Sequence, residues 1–152
     1  GWSVDVGEEK VIWSDEVAAI HDMPPGYSPS VEEGINFYVP EYRKRIADIF
    51  SNCLKFGIAF DEEMEIITAT GRRVWVRTLG DAIFDASGRV SRVEGGFQDI
   101  SELKKIEEER ERYVKELEVF RKASVGREER ILDLKRELSD LKDELKKSKG
   151  GQ

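Results

Sequence analysis

The chain has 152 residues, 39% of them hydrophobic, with 25 Lys plus Arg against 32 Asp plus Glu and a net charge of −7. Nothing in it approaches the ~20 consecutive apolar residues that span a bilayer, no basic, apolar and small-residue succession marks a signal peptide, and Cys53 is the only cysteine, so a reducing cytoplasm without direct membrane contact is expected. Residues 1–100 hold 10 basic and 18 acidic side chains while 101–149 hold 15 and 14; an acidic body repels phosphate and an alternating-sign helix is a solvated surface, so nucleic acid is not an expected partner.

In chain order, short strands are expected near residues 2–6 and 10–13, the second carrying Val11, Ile12 and Trp13. Ser14 or Asp15 caps a helix with Val17, Ala18 and Ile20 on one apolar side, stopped by Met23-Pro24-Pro25-Gly26. Ser30 and Glu33 have capping-box spacing and predict one helical turn over 31–35. Pro40 suits the first position of a longer helix to about Lys55, with Ile46, Ile49, Phe50 and Cys53 facing inward and Gly57 ending it. Strands follow at about 59–68, 73–84 and 90–98, the last two joined by Asp85-Ala86-Ser87-Gly88, which has hairpin-loop chemistry.

Five pieces in order resemble a PAS domain with its C-terminal PAC segment: Trp2-Ser3-Val4-Asp5, Val11 to Glu16, Tyr27-Ser28-Pro29, Pro40-Glu41-Tyr42, and Gly71-Arg72-Arg73-Val74-Trp75-Val76-Arg77 through Gly88-Arg89-Val90 to Gln98-Asp99-Ile100-Ser101-Glu102. The resemblance covers about residues 1–105. It implies an α+β PAS fold, a five-stranded antiparallel sheet with helices on one face, over residues 1–100, and a signalling helix or coiled coil over 101–149. The segment from Phe120 to Glu128, with Leu134-Lys135-Arg136-Glu137 after it, is similar to connectors that follow PAS domains in sensor histidine kinases. No histidine lies on the long helix to accept a phosphoryl group, so enzyme activity is expected from other parts of a longer protein and none from this segment.

The resemblance also implies that the space between sheet and helices either holds a small molecule or is filled by side chains. Its candidate lining is Ile20, Phe37, Ile46, Ile49, Phe50, Phe60, Met64, Val76 and Phe97, all apolar, with no polar anchor evident. Filled, the domain would be a ligand-free dimerisation scaffold; a third reading is a redox or light sensor. Against that reading, His21, the single histidine, stands at the end of the first helix, away from the position haem-binding relatives use. Likewise Ser51-Asn52-Cys53-Leu54-Lys55-Phe56 shares only Asn-Cys with the photoactive flavin motif, so neither haem nor flavin is expected. One histidine and one cysteine make no metal cluster. The Asp61-Glu62-Glu63 run reads as a solvated strand start, and no catalytic set is present.

At the junction, Asp99 stands three residues before Glu102, so Asp99 is expected to cap the long helix while Glu102 reaches back. By resemblance, Asp99, Ile100, Ser101 and Glu102 couple sheet to helix, with Arg77 a possible partner of Asp99. Beyond it a heptad seam runs through Leu103, Ile106, Tyr113, Leu117, Phe120, Ile131, Leu134, Leu138, Leu141 and Leu145, interrupted only at Arg110, Ser124 and Arg127. Forty-odd residues at 1.5 Å each extend roughly 65–70 Å, farther than a 100-residue domain can cover, so a partner helix is expected. Glu116 with Arg121, Glu137 with Lys142 and Glu144 with Lys149 would attract in a parallel homodimer, against repulsion at Arg130 with Lys135 and Glu102 with Glu107. Ser124-Val125-Gly126-Arg127 is expected to be a weak point, because two successive core positions are polar and Gly126 costs about 1 kcal/mol of helix propensity.

Overall fold

Antiparallel pairing organises the first two-thirds of the chain. The structure, a computed structural model, describes residues 1–150. Its elements are β1 (Trp2–Asp5), β2 (Ile12–Trp13), α1 (Asp15–Ile20), α2 (Val31–Asn36), α3 (Pro40–Phe56), β3 (Phe60–Ile67), β4 (Arg73–Phe84), β5 (Val90–Gly95), β6 (Phe97–Asp99) and α4 (Ser101–Gly150). The sheet order is β2-β1-β5-β4-β3, with β6 paired to β4. Every pairing is antiparallel.

Local chemistry sets the helix ends. Ser14 caps α1 by accepting the Val17 amide, and Ser30 with Glu33 forms the expected capping box on α2. Pro40 opens α3, and Gly57 closes it in the left-handed region at φ 70°, where a Cβ would be strained. α3 lays Ile46 and Cys53 onto the sheet. In the β4–β5 loop, Asp85 Oδ1 accepts the Ser87 and Arg89 amides, which holds the turn closed.

The expected single strand over 90–98 is two strands. The chain pairs with β4 as β5 and again as β6 in one unbroken register, with Leu79 and Gly96 exchanging both backbone hydrogen bonds between them, and the irregularity in the β4–β5 pairing lies between Ile83 and Phe84. A Cβ on Gly95 would stand 1.7 Å from the Leu79 carbonyl oxygen, so only glycine permits this approach.

Two clusters form the core. One gathers Trp2, Val4, Val11, Trp13, Val17, Ala18, Cys53 and Val93; the other gathers Tyr38, Ile46, Met64, Ile66, Val74 and Val76. The compact unit extends from Gly1 to Lys105 and so takes in the first turn of α4; Ile106 onward forms a second unit. In that unit the helix passes through Ser124 and Gly126 without interruption, so the expected weak point is not a break. No residue of α4 is buried, and the ten seam residues are between 47% and 72% exposed. Among the described residues no helix is long and apolar enough to cross a membrane.

Candidate ligand pocket and helix junction

A cavity of about 70 Å³, partly open to solvent, lies between the sheet and α1–α3. Of the residues expected to line it, Ile46, Phe50, Phe60 and Phe97 do. Ile20, Ile49 and Phe37 lie outside the lining and pack partly buried against the core clusters. Met64 and Val76 are wholly buried within the second cluster; their inward positions on β3 and β4 were legible, but the cavity stops short of them.

The polar lining that the sequence left unseen consists of His21, Tyr38 and Thr78. His21 is 2% exposed. Its ring stacks on Trp13 at 4.0 Å and on Phe97 at 4.8 Å, with Phe37 at its edge. Nδ1 lies 2.8 Å from the Val17 carbonyl oxygen. Burial pushes its pKa down to about 4, only partly offset by that hydrogen bond and the Asp22 charge, so the ring is neutral at pH 7. The signal was present in α1: His21 follows Val17 by four residues and Ala18 by three, which places it on the buried stripe. Thr78 likewise continues the inward alternation of Val74 and Val76. Burial raises the Tyr38 hydroxyl pKa well above the usual range, with Thr78 only partly offsetting it.

Cys53 is fully buried, and that burial, with the Asp81 charge adding, raises its thiol pKa, as suits an inert core residue. Among the described residues no group of three or more His, Cys, Asp or Glu could hold a metal ion.

Strand β6 joins this cavity to the start of α4. Phe97 lines the cavity, and Asp99 two residues later accepts the Ser101 amide on Oδ1 at 2.9 Å. The first helical backbone bond runs from the Lys104 amide to the Ile100 carbonyl. The capping position is therefore Ile100, not Asp99, and the expected capping box with Glu102 is not formed. Ile100, 3% exposed, anchors the turn.

Trp75 holds the junction from the neighbouring strand. The Ile100 amide donates to the Trp75 carbonyl at 2.9 Å, and the Trp75 amide donates to Ser101 Oγ at 3.2 Å. Lys104 Nζ stands 5.0 Å from the Trp75 ring centroid and 2.7 Å from Glu63 Oε2. Trp75 and Lys104 carry no local sequence signal, because their meeting depends on β4–β6 pairing.

Arg77 does not pair with Asp99. Its Nε donates to Asp61 Oδ1 at 2.8 Å. In the β4–β6 register Asp99 lies opposite Val76 and Arg77 opposite Gln98, and neighbours along a strand point to opposite faces. The cation within Coulombic reach of Asp99 is Arg72.

This arrangement has known counterparts. A profile of the PAS fold matches residues 10–96. The chain belongs to the PAS-fold family. Sensor protein FixL of Bradyrhizobium diazoefficiens is 23% identical over 106 residues, covering 70% of this chain and 21% of that protein. This PAS chain thus spans about a fifth of that relative's length. Two solved structures share the fold. One is the N-terminal domain of a diguanylate cyclase with PAS/PAC sensor from Marinobacter aquaeolei, with TM-score 0.61 and 22% identity over 66% of this chain and 93% of that one. The other, a sensory box histidine kinase/response regulator from Burkholderia thailandensis, has TM-score 0.60 and 19% identity over 76% and 87%.

Proposed function

We propose that this PAS domain is a sensory and signal-relay module: a small molecule entering the cavity, or a conformational input there, alters β6 and thereby the start of α4, which passes the change to a parallel homodimeric coiled coil. The observation that carries this reading is Phe97. It lines the cavity, stacks on His21, and belongs to the three-residue strand whose last residue, Asp99, holds the first amide of α4. A shift of that ring has only two residues over which to be absorbed.

The exposed heptad seam and the attractive Glu116–Arg121, Glu137–Lys142 and Glu144–Lys149 pairings support a parallel dimer. The matches to a sensor protein and to a sensory box histidine kinase support a place within a two-component sensor kinase in the cytoplasm, whose other domains would supply the catalysis.

Native mass spectrometry of the purified chain tests the reading. The expected spectrum is a dimer carrying extra mass that is lost on denaturation. A dimer without added mass, on exposure to small-molecule mixtures as well, favours a filled scaffold that only sets partner geometry. A monomer at micromolar concentration overturns the coiled-coil relay.

A further inference from the structure

The cavity is lined mostly by apolar side chains, with polar groups from His21, Tyr38 and Thr78. A carbonyl oxygen only accepts, so the 2.8 Å contact between His21 Nδ1 and the Val17 carbonyl puts the ring proton on Nδ1. Nε2 then carries a bare lone pair. It has no hydrogen-bond partner among the described residues. His21 lines the cavity, and its ring is otherwise enclosed by Trp13, Phe37 and Phe97.

The rest of the lining is uncharged. Aromatic rings from Trp2, Trp13, Phe50, Phe60 and Phe97 form much of it, and it contains no Asp, Glu, Lys or Arg. The Trp2 indole N–H is already committed to the Gly96 carbonyl at 3.2 Å. An ion placed here would lose hydration without gaining a counter-charge. A flat apolar molecule would gain ring contacts, and an N–H or O–H on it would satisfy Nε2.

We infer that the cavity receives a small, uncharged aromatic molecule carrying an N–H or O–H donor, which His21 Nε2 accepts. This rests on the sensing role proposed for the same cavity. Binding would press on Trp13 and Phe97, the two rings stacked on His21, and Phe97 leads directly into β6.

The test uses the full chain labelled with ¹⁵N and three probes: indole; 1-methylindole, which keeps the ring system but lacks the donor; and benzoate, which adds a negative charge. The expected result is that indole moves the amide signals of Trp13, His21 and Phe97, binds about tenfold tighter than 1-methylindole, and shifts the His21 Nε2 resonance, which 1-methylindole leaves in place. His21→Phe should close the gap between the two indoles; if that variant does not fold, the Nε2 resonance of the unaltered chain decides. Equal affinity for both indoles with Nε2 unmoved overturns the acceptor assignment and leaves the sensing role standing. Tighter binding of benzoate overturns the uncharged class. Failure of all three probes to move any cavity signal overturns this inference and the ligand-driven form of the sensing role together.

Discussion

His21 and Asp22 are adjacent and opposite in character. His21 is enclosed by aromatic rings, whereas Asp22 takes a left-handed conformation at φ 60°, which is tolerated by Asp at some cost. Its carboxylate is clamped by the Arg72 guanidinium at 2.9 and 3.0 Å and by the Thr70 hydroxyl at 2.6 Å. Those bonds, Arg72's first, hold its pKa well below the usual carboxylate range. The pH dependence of stability separates the two residues. The folded-state pKa of His21, about 4, lies below its ordinary 6.5, so as pH falls the unfolded chain takes the proton first. The stability that neutral His21 provides is full above pH 6.5 and is lost between 6.5 and 4, by roughly 3 kcal/mol. Because the chain has one histidine and the depressed carboxylates Asp22, Asp61 and Asp85 lose their contributions only as pH falls below 3.8, that window belongs to His21. Urea unfolding at pH 7 and pH 4 should show the loss, and His21→Phe should abolish most of it; an equal slope in the variant would place the effect elsewhere.

Among the elements, the continuous run of β5 and β6 along β4 matters most for the proposed output. The unbroken register carries β6 along β4 to Val76 and delivers Ile100 and Ser101 to the backbone of Trp75. Gly95 is the enabling residue. Gly95→Ala should lower stability by about 2–4 kcal/mol, since the clash is with backbone and cannot be relieved by a rotamer change. Gly96→Ala, whose Cβ would meet only Leu79 Cδ1 at 3.4 Å, is the control. Thermal unfolding of both variants is the measurement, and equal melting temperatures would contradict the close-approach argument. The element pattern itself was readable: the Ser30–Glu33 box, Pro40 and Gly57 define helix limits within a residue or two because caps act over one turn. The need for glycine at Gly95 was not readable, because it arises from a carbonyl on another strand.

At the scale of the whole molecule, α4 is notable for what it leaves uncovered. Its seam of leucines and aromatics is exposed, yet the helix continues through Gly126. Nothing lies within 4 Å of a Cβ placed on Gly126. Gly126→Ala should therefore stabilise the helix by about 1 kcal/mol per chain, and a parallel coiled coil would show this as tighter dimerisation in sedimentation equilibrium. An unchanged dissociation constant would mean that residues near 126 do not belong to the dimerising seam.

The PAS fold was legible from the resemblance of the motifs between Trp2 and Glu102, and most helix and strand positions with the heptad pattern of α4 were legible because capping, turn chemistry and hydrophobic periodicity act between residues close along the chain. Tertiary structure alone decided that Arg77 turns to Asp61 rather than Asp99, that Trp75 and Lys104 hold the helix start, and that His21 lines the cavity among aromatic rings. Each of these depends on strand register or on which rings close around a side chain, and those are set by partners distant along the chain.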